Sequence, residues 1–355
     1  MPDDLAQEMI RQLTLRKLAF ARELLREHGL AVSGTREALT ERLAGAVDKG
    51  AIELDDIHHL LDELDAWGDQ RVRLGIMDRR VLRDFRDTAA VRGRIRDAGL
   101  DDELLGRDQV ALVPPETLTA MGVQLLEGDG TRILRLLAAK IRIVDTHLRD
   151  AEEVPAEKVP ARLRPDDAEE TDPKAPGAVA AEIVYKPFRR ERQKAVSFAE
   201  IDLDSGETLI STSLLKQGMN YGAEFGELFT VFGTLLDLRD VRAHELYDAV
   251  RLIRTLPQGE VLIYSRQSRT AVGGVMEVRS HSWSADVRQD PALETVSAAL
   301  PHVAGHHCNC RWLVSNELAE EVHTQILAPT GEVSVLGQVT ENSVRHVLRR
   351  IRHIR

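Results

Sequence analysis

The stretch Val196-Ser-Phe-Ala-Glu-Ile-Asp-Leu-Asp-Ser-Gly-Glu-Thr-Leu-Ile-Ser211 sets the fold class of this 355-residue chain. Residues 196–203 and 208–211 read as successive strands, and Asp204-Ser-Gly206 supplies the turn between them. The helix that follows carries Phe225, Leu228, Phe229, Phe232 and Leu236 on one stripe. A second carries Leu246, Ala249, Val250 and Ile253, with Asp240 as its cap. Residues 261–264 and 271–278 predict a hairpin across Arg266-Gln-Ser-Arg269, and 311–314 and 333–336 read as further strands. The chain closes in an amphipathic helix with Val344, Val347, Leu348, Ile351 and Ile354 on one side. Strands and helices in this arrangement predict an α+β fold.

Working outward, residues 150–178 hold Pro155, Pro160, Pro165, Pro173 and Pro176, many acids and almost no large apolar side chains. Such a segment cannot bury enough surface to offset its ordering entropy and reads as a linker. Upstream, 71–77 reads as a strand, 81–105 as a helical stretch interrupted near Gly93 and Gly99, and 110–113 as a short strand. Residues 121–126 and 133–137 read as a hairpin across Glu127-Gly-Asp-Gly130, although 133–143 also fits a helix. Residues 11–66 read as three helices. The first carries Leu15, Leu18, Ala21 and Leu25, and stops at His28-Gly29. The second buries Leu39, Leu43, Ala46 and Val47. The third places Ile57, Leu60, Leu61 and Leu64 on one stripe and acids on the other. The expected organisation is a helical module at 1–67, an α/β segment at 68–149, the linker at 150–178 and an α+β domain at 179–355.

The chain carries 58 acidic and 47 basic residues, a net charge of −11. An acidic total argues against coating DNA over the whole surface, but leaves room for a local phosphate-binding patch. No apolar run is long enough to span a bilayer, so no membrane partner is expected. The start, Met1-Pro-Asp-Asp4, lacks the basic and apolar regions of a signal peptide. The two cysteines, Cys308 and Cys310, are poor material for a disulfide framework. These features together point to the cytoplasm, and the excess of Arg over Lys fits a GC-rich, bacterial coding background.

The segment Leu25-Arg-Glu-His-Gly-Leu30, followed by Ser33-Gly-Thr-Arg-Glu-Ala-Leu-Thr-Glu-Arg-Leu43, resembles the SAP motif, a helix-extension-helix module associated with DNA. Gly29-Leu30, Gly34, Arg36, Leu39 and Arg42-Leu43 carry the resemblance, which covers about a tenth of the chain. It implies contact with duplex DNA. The residues support the same expectation: Thr35 and Arg36 open a helix whose free N–H groups favour phosphate, Gly34 permits close approach, and Arg16, Lys17, Arg22 and Arg42 add charge. Glu37 and Glu41 oppose it, and no aromatic side chain stands ready to stack on a base.

Three other basic patches stand out. Residues 71–96 hold nine arginines against three acids, enough to extend a phosphate-facing surface or to form a solvated helix face. Lys186-Pro-Phe-Arg-Arg-Glu-Arg-Gln-Lys194 is denser and falls between expected strands. As a loop tip it would present Lys186, Arg189, Arg190, Arg192 and Lys194 to nucleic acid. The arginines of the last helix read as outward charges on a docked helix.

No phosphate-binding loop, nucleophile elbow or His-Glu-x-x-His motif occurs, and no cofactor is expected. His306, Cys308 and Cys310 form one cluster with Zn²⁺-ligand chemistry, against which stands the single cluster where structural zinc sites use two. The expected function is a DNA-binding adaptor or regulator contacting the phosphate backbone, with the C-terminal domain binding a protein partner or a second copy. The alternatives are an assembly subunit without nucleic-acid binding and a metal-dependent hydrolase.

Overall fold

A computed structural model describes residues 2–111, 113–128, 131–147, 154–155, 184–185, 188–215, 220–269, 274–282, 284–291, 304–314 and 320–354. The N-terminal region forms four helices: α1 (Pro2–Arg16), α2 (Leu18–Glu27), α3 (Arg36–Asp48) and α4 (Leu54–Trp67). The helix expected through Leu15 and Leu25 is in fact broken at Lys17, whose backbone is extended. The break lets Lys17 turn toward Glu320 and the Gln338 carbonyl, and leaves Leu15 exposed. Leu13, Phe20, Leu25, Leu39, Leu43, Ile57 and Leu64 share one core. Burial of each such side chain contributes roughly 1.5–3 kcal/mol.

The chain then runs through β1 (Gln70–Ile76), α5 (Arg79–Leu82), α6 (Thr88–Asp97), β2 (Thr119–Gly128) and β3 (Thr131–His147). The helical stretch expected over 81–105 is divided because Asp87 caps a fresh start, accepting from the Ala90 N–H at 2.8 Å, and Gly99, at φ +70°, ends it. No strand forms among the described residues of 110–113, where the Val110 N–H donates to the Asp62 carboxylate instead of to a neighbouring strand. Next come β4 (Val154–Pro155), β5 (Val184–Tyr185), β6 (Phe188–Asp202), β7 (Glu207–Ser213), α7 (Tyr221–Phe232), β8 (Arg242–Ala243) and α8 (Tyr247–Leu252). Asp240, expected to cap α8, lies in a separate turn, and Leu246 occupies the cap position. The C-terminal elements are β9 (Val261–Arg269), β10 (Val275–Arg279), β11 (Ala304–Leu313), β12 (Glu321–Leu327), β13 (Glu332–Leu336) and α9 (Glu341–His353).

The fold is α+β, with the helices first and then an 11-stranded sheet in the order β10-β9-β11-β12-β13-β1-β7-β6-β3-β2, with β8 paired to β1. β1 is the hinge of this order: it pairs antiparallel with β13 on one side and β7 on the other. Side chains alternate across the sheet. Val72, Phe198, Cys310, Trp312 and Val335 face one way, against Trp67 of α4, Val250 of α8 and Val347 and Ile351 of α9. Ile210, Ala199 and Leu136 face the other way, against Phe225 and Leu228 of α7 and Val91 and Ile95 of α6.

Two compact units are present, Met1–Lys140 with Ala195–Arg355, and Ile141–Lys194. In the second, β4 and β5 pair through Val154 with Tyr185 and Pro155 with Val184. Apart from Val154 and Pro155, the expected linker at 150–178 lies outside the described residues.

Candidate nucleic-acid interface

Helices α2 and α3 are joined by an extended connection at 30–35. Gly29 ends α2 at φ +68°, and the Leu30 N–H reaches back to the Leu25 carbonyl at 2.7 Å. Leu30 and Val32 pack on the module core, so the connection is anchored from inside. Arg42 anchors it from outside: one guanidinium nitrogen donates to the Ala31 carbonyl at 2.6 Å and the Ser33 carbonyl at 2.9 Å. Gly34, at φ +131°, would place a Cβ 3.1 Å from the Ala38 Cβ. Thr35 then caps α3 by accepting from the Ala38 N–H.

The expected contact residues divide by what they touch. Arg16 is committed to Asp65 at 2.6 Å and Gln338 at 2.9 Å. Lys17 donates to the Gln338 carbonyl at 2.7 Å and lies over the Phe20 ring. Arg42 holds the connection. Arg22 and Arg36 are exposed and neither guanidinium forms a side-chain hydrogen bond or salt bridge among the described residues, although the charge of Arg36 acts on the neighbouring Glu37 carboxyl. Glu37, beside Arg36, is held below its ordinary carboxyl value, first by its own backbone N–H and then by the Thr35 hydroxyl. An acidic groove of about 540 Å³ on the α2–α4 side, lined by Glu23, Glu27, Asp56 and Glu63, disfavours phosphate there.

The other patches are largely engaged within the protein. Arg71 and Arg73 pair with Glu332 at 2.8 and 2.9 Å, Arg96 with Asp102 at 2.7 Å, and Arg94 lies over Phe85. Arg80, Arg83 and Arg92 are exposed. The segment expected as a loop tip is strand from Phe188 onward, because β6 continues back past Ala195. Arg189, Arg190, Arg192 and Lys194 therefore lie on a strand, the last three each engaged with another residue, while Lys186 lies outside the described residues. On α9, Arg345 pairs with Glu200 and Glu341, Arg350 with Glu260 and Arg352 with Glu207.

Cys308 and Cys310 are fully buried free thiols with Sγ atoms 3.2 Å apart, pointing into the core. Burial, followed by the neighbouring Cys308, pushes the Cys310 thiol far up, so it stays protonated. His306 lies on the same strand, but among the described residues no three His, Cys, Asp or Glu side chains converge on a point where a metal could sit. No helix among them is long and apolar enough to cross a membrane.

One polar surface was not anticipated from sequence. On the α7 face of the sheet, Asn309 faces Gln325 and Arg311 faces His323 across β11 and β12. The available signal was the alternation in Glu321-Val-His-Thr-Gln-Ile-Leu327, in which Val322, Thr324 and Ile326 are buried and the residues between them are not.

Neither protein-family models nor curated proteins match this chain.

Proposed function

We propose that this chain is a DNA-binding adaptor or regulator, and that Arg22 and Arg36 of its N-terminal module contact the phosphate backbone of duplex DNA. The observation that carries the reading is the exposed start of α3, where the exposed Arg36 guanidinium follows Gly34 and Thr35. Helix N-termini favour phosphate, and an adjacent guanidinium adds charge-assisted bonds. Phe20 and Trp67, the aromatic side chains of the module, are buried, which favours backbone contact over base stacking. Arg16, Lys17 and Arg42 then serve as supports of the module. The sheet-bearing part binds a protein partner or a second copy. Two adjacent free thiols fit a reducing cytoplasm.

The second reading, an assembly subunit without nucleic-acid binding, is favoured by the internal engagement of Arg16, Lys17 and Arg42. Gel-shift titration with duplex DNA at two salt concentrations separates the two. Binding that weakens with salt and is lost in the Arg22→Glu, Arg36→Glu double variant supports the first. No shift at low salt supports the second.

A further inference from the structure

One row of residues runs across eight strands on the α7 face of the sheet: Arg279, Ser265, Asn309, Gln325, Ser334, Arg71, Thr212 and Ser197 are successive cross-strand partners from β10 to β6. All are polar, and Ser265, Asn309, Ser334, Arg71, Thr212 and Ser197 are buried as well, which is unusual for polar side chains. Toward β6 the row satisfies itself. Arg71 donates to the Ser334 hydroxyl at 2.5 Å and pairs with Glu332, and the Ser197 and Thr212 hydroxyls lie 2.9 Å apart. Toward β10 it does not. The Ser265 hydroxyl and the Asn309 side-chain carbonyl are buried without a well-formed hydrogen bond, although the Asn309 side chain also interacts with the His307 ring. Asn309 is 9% exposed. A buried polar atom left unpaired costs about 1–3 kcal/mol, so such atoms mark places where a ligand supplies the bond.

The Asn309 side chain lines a cavity of about 420 Å³ with Tyr264, Arg279, His281, Ser282 and Gln325. Among the described residues no carboxylate lines it, although the protein as a whole carries a net charge of −11. Arg279, two strands from Asn309 and so about 10 Å away by strand spacing, is the cavity's cation. At the other end, the Asn309 carbonyl can accept from an N–H donor, and the neighbouring Gln325 amide can both donate and accept. Paired amides of this kind read the edge of a nucleobase. Burial, its main cause, pushes the Tyr264 hydroxyl up to about 12, so it remains a donor at neutral pH.

The geometry points to a nucleotide-binding pocket on the open end of the sheet, with Arg279 holding the phosphate and Asn309 and Gln325 reading the amino-bearing edge of the base. The pocket is independent of the duplex contact proposed for the N-terminal module, since it uses neither Arg22 nor Arg36. The ligand is a free mononucleotide or the phosphorylated end of a strand, which share this chemistry.

Calorimetric titration of the full chain tests it, with AMP, ribose 5-phosphate, inorganic phosphate and a 5′-phosphorylated oligodeoxynucleotide as probes. We expect saturable binding of AMP or of the phosphorylated oligonucleotide, whichever is the tighter identifying the source, with ribose 5-phosphate and phosphate weaker. Arg279→Gln, an exposed substitution that leaves the core intact, should weaken binding about tenfold, as loss of a charge-assisted bond would. Asn309→Leu should erase the advantage of AMP over ribose 5-phosphate. Absence of saturable binding by both nucleotide probes would overturn the inference. So would inorganic phosphate binding as tightly as AMP, or an affinity indifferent to Arg279→Gln.

Discussion

Lys17 and Glu320, 303 residues apart in sequence, form an ion pair of 3.1 Å that ties the N-terminal module to the chain entering β13's neighbour β12. Glu320 also accepts from the hydroxyls of Thr340 and Ser343, both at 2.5 Å. Burial pushes its carboxyl up, but the hydrogen bonds from Ser343 and Thr340 and the charge of Lys17 outweigh it, leaving Glu320 below the ordinary value of 4.5. A carboxyl lowered by folding contributes stability above its unfolded value and loses it as pH falls through the folded one. The urea midpoint should therefore drop as the pH falls below about 4.5. In Glu320→Gln that acid dependence should be shallower, and the variant should lose about 1–3 kcal/mol at pH 7.

His244, His307 and His323 are lowered from 6.5, burial being the first cause in each case. Their contribution is present above 6.5 and lost as the pH falls through their folded values. Unfolding free energy should therefore decline as the pH falls through and below about 6.5. His307→Gln, followed by denaturant titration at several pH values, should reduce that slope; an unchanged slope would show that His307 is not among the groups responsible.

Much of the fold could be read from local pattern. The turn at Asp204-Ser-Gly206 joins β6 to β7, and Val344, Val347, Leu348 and Ile351 form the buried stripe of α9, because each depends on near neighbours or on helical period. The fate of the basic residues could not be read this way. Arg16 meets Gln338 and Lys17 meets Glu320, partners that only the tertiary fold brings close. The polar row escaped for the same reason. Asn309 and Gln325 look like ordinary surface residues until β11 and β12 are paired, which sets the two opposite each other with Asn309 buried and Gln325 half-buried. The segment 188–194 looked like a loop because its charges hide a strand whose order is set by continuity with residues 195–202.

The turn between β12 and β13 depends on Gly331, at φ +64°. A Cβ there would lie 2.3 Å from the His244 carbonyl oxygen and 2.9 Å from that of Leu74. Gly331→Ala should cost more than the 1–2 kcal/mol or so of the left-handed backbone penalty alone, because backbone must move as well. Thermal or urea unfolding measures it.

Docking of α9 is tested at Ile351, which is fully buried against the sheet. Ile351→Ala should cost about 2–5 kcal/mol in urea unfolding, with the larger value expected if the site cannot collapse around the cavity.

Arg42 and Arg36 lie six residues apart with different tasks. Arg42 grips the Ala31 and Ser33 carbonyls, whereas Arg36 is exposed at the start of α3. Arg42→Gln should lower the melting temperature of the module while leaving the salt dependence of DNA binding in place.

The most direct measurement is the slope of log binding constant against log salt concentration for duplex DNA, in the wild type and in the Arg22→Gln, Arg36→Gln double variant. Each lost phosphate contact should reduce the magnitude of the slope by about 0.9, so the account predicts a reduction of about 1.8 with the fold intact. A slope and affinity unchanged in the double variant, or no duplex binding at low salt, would contradict it.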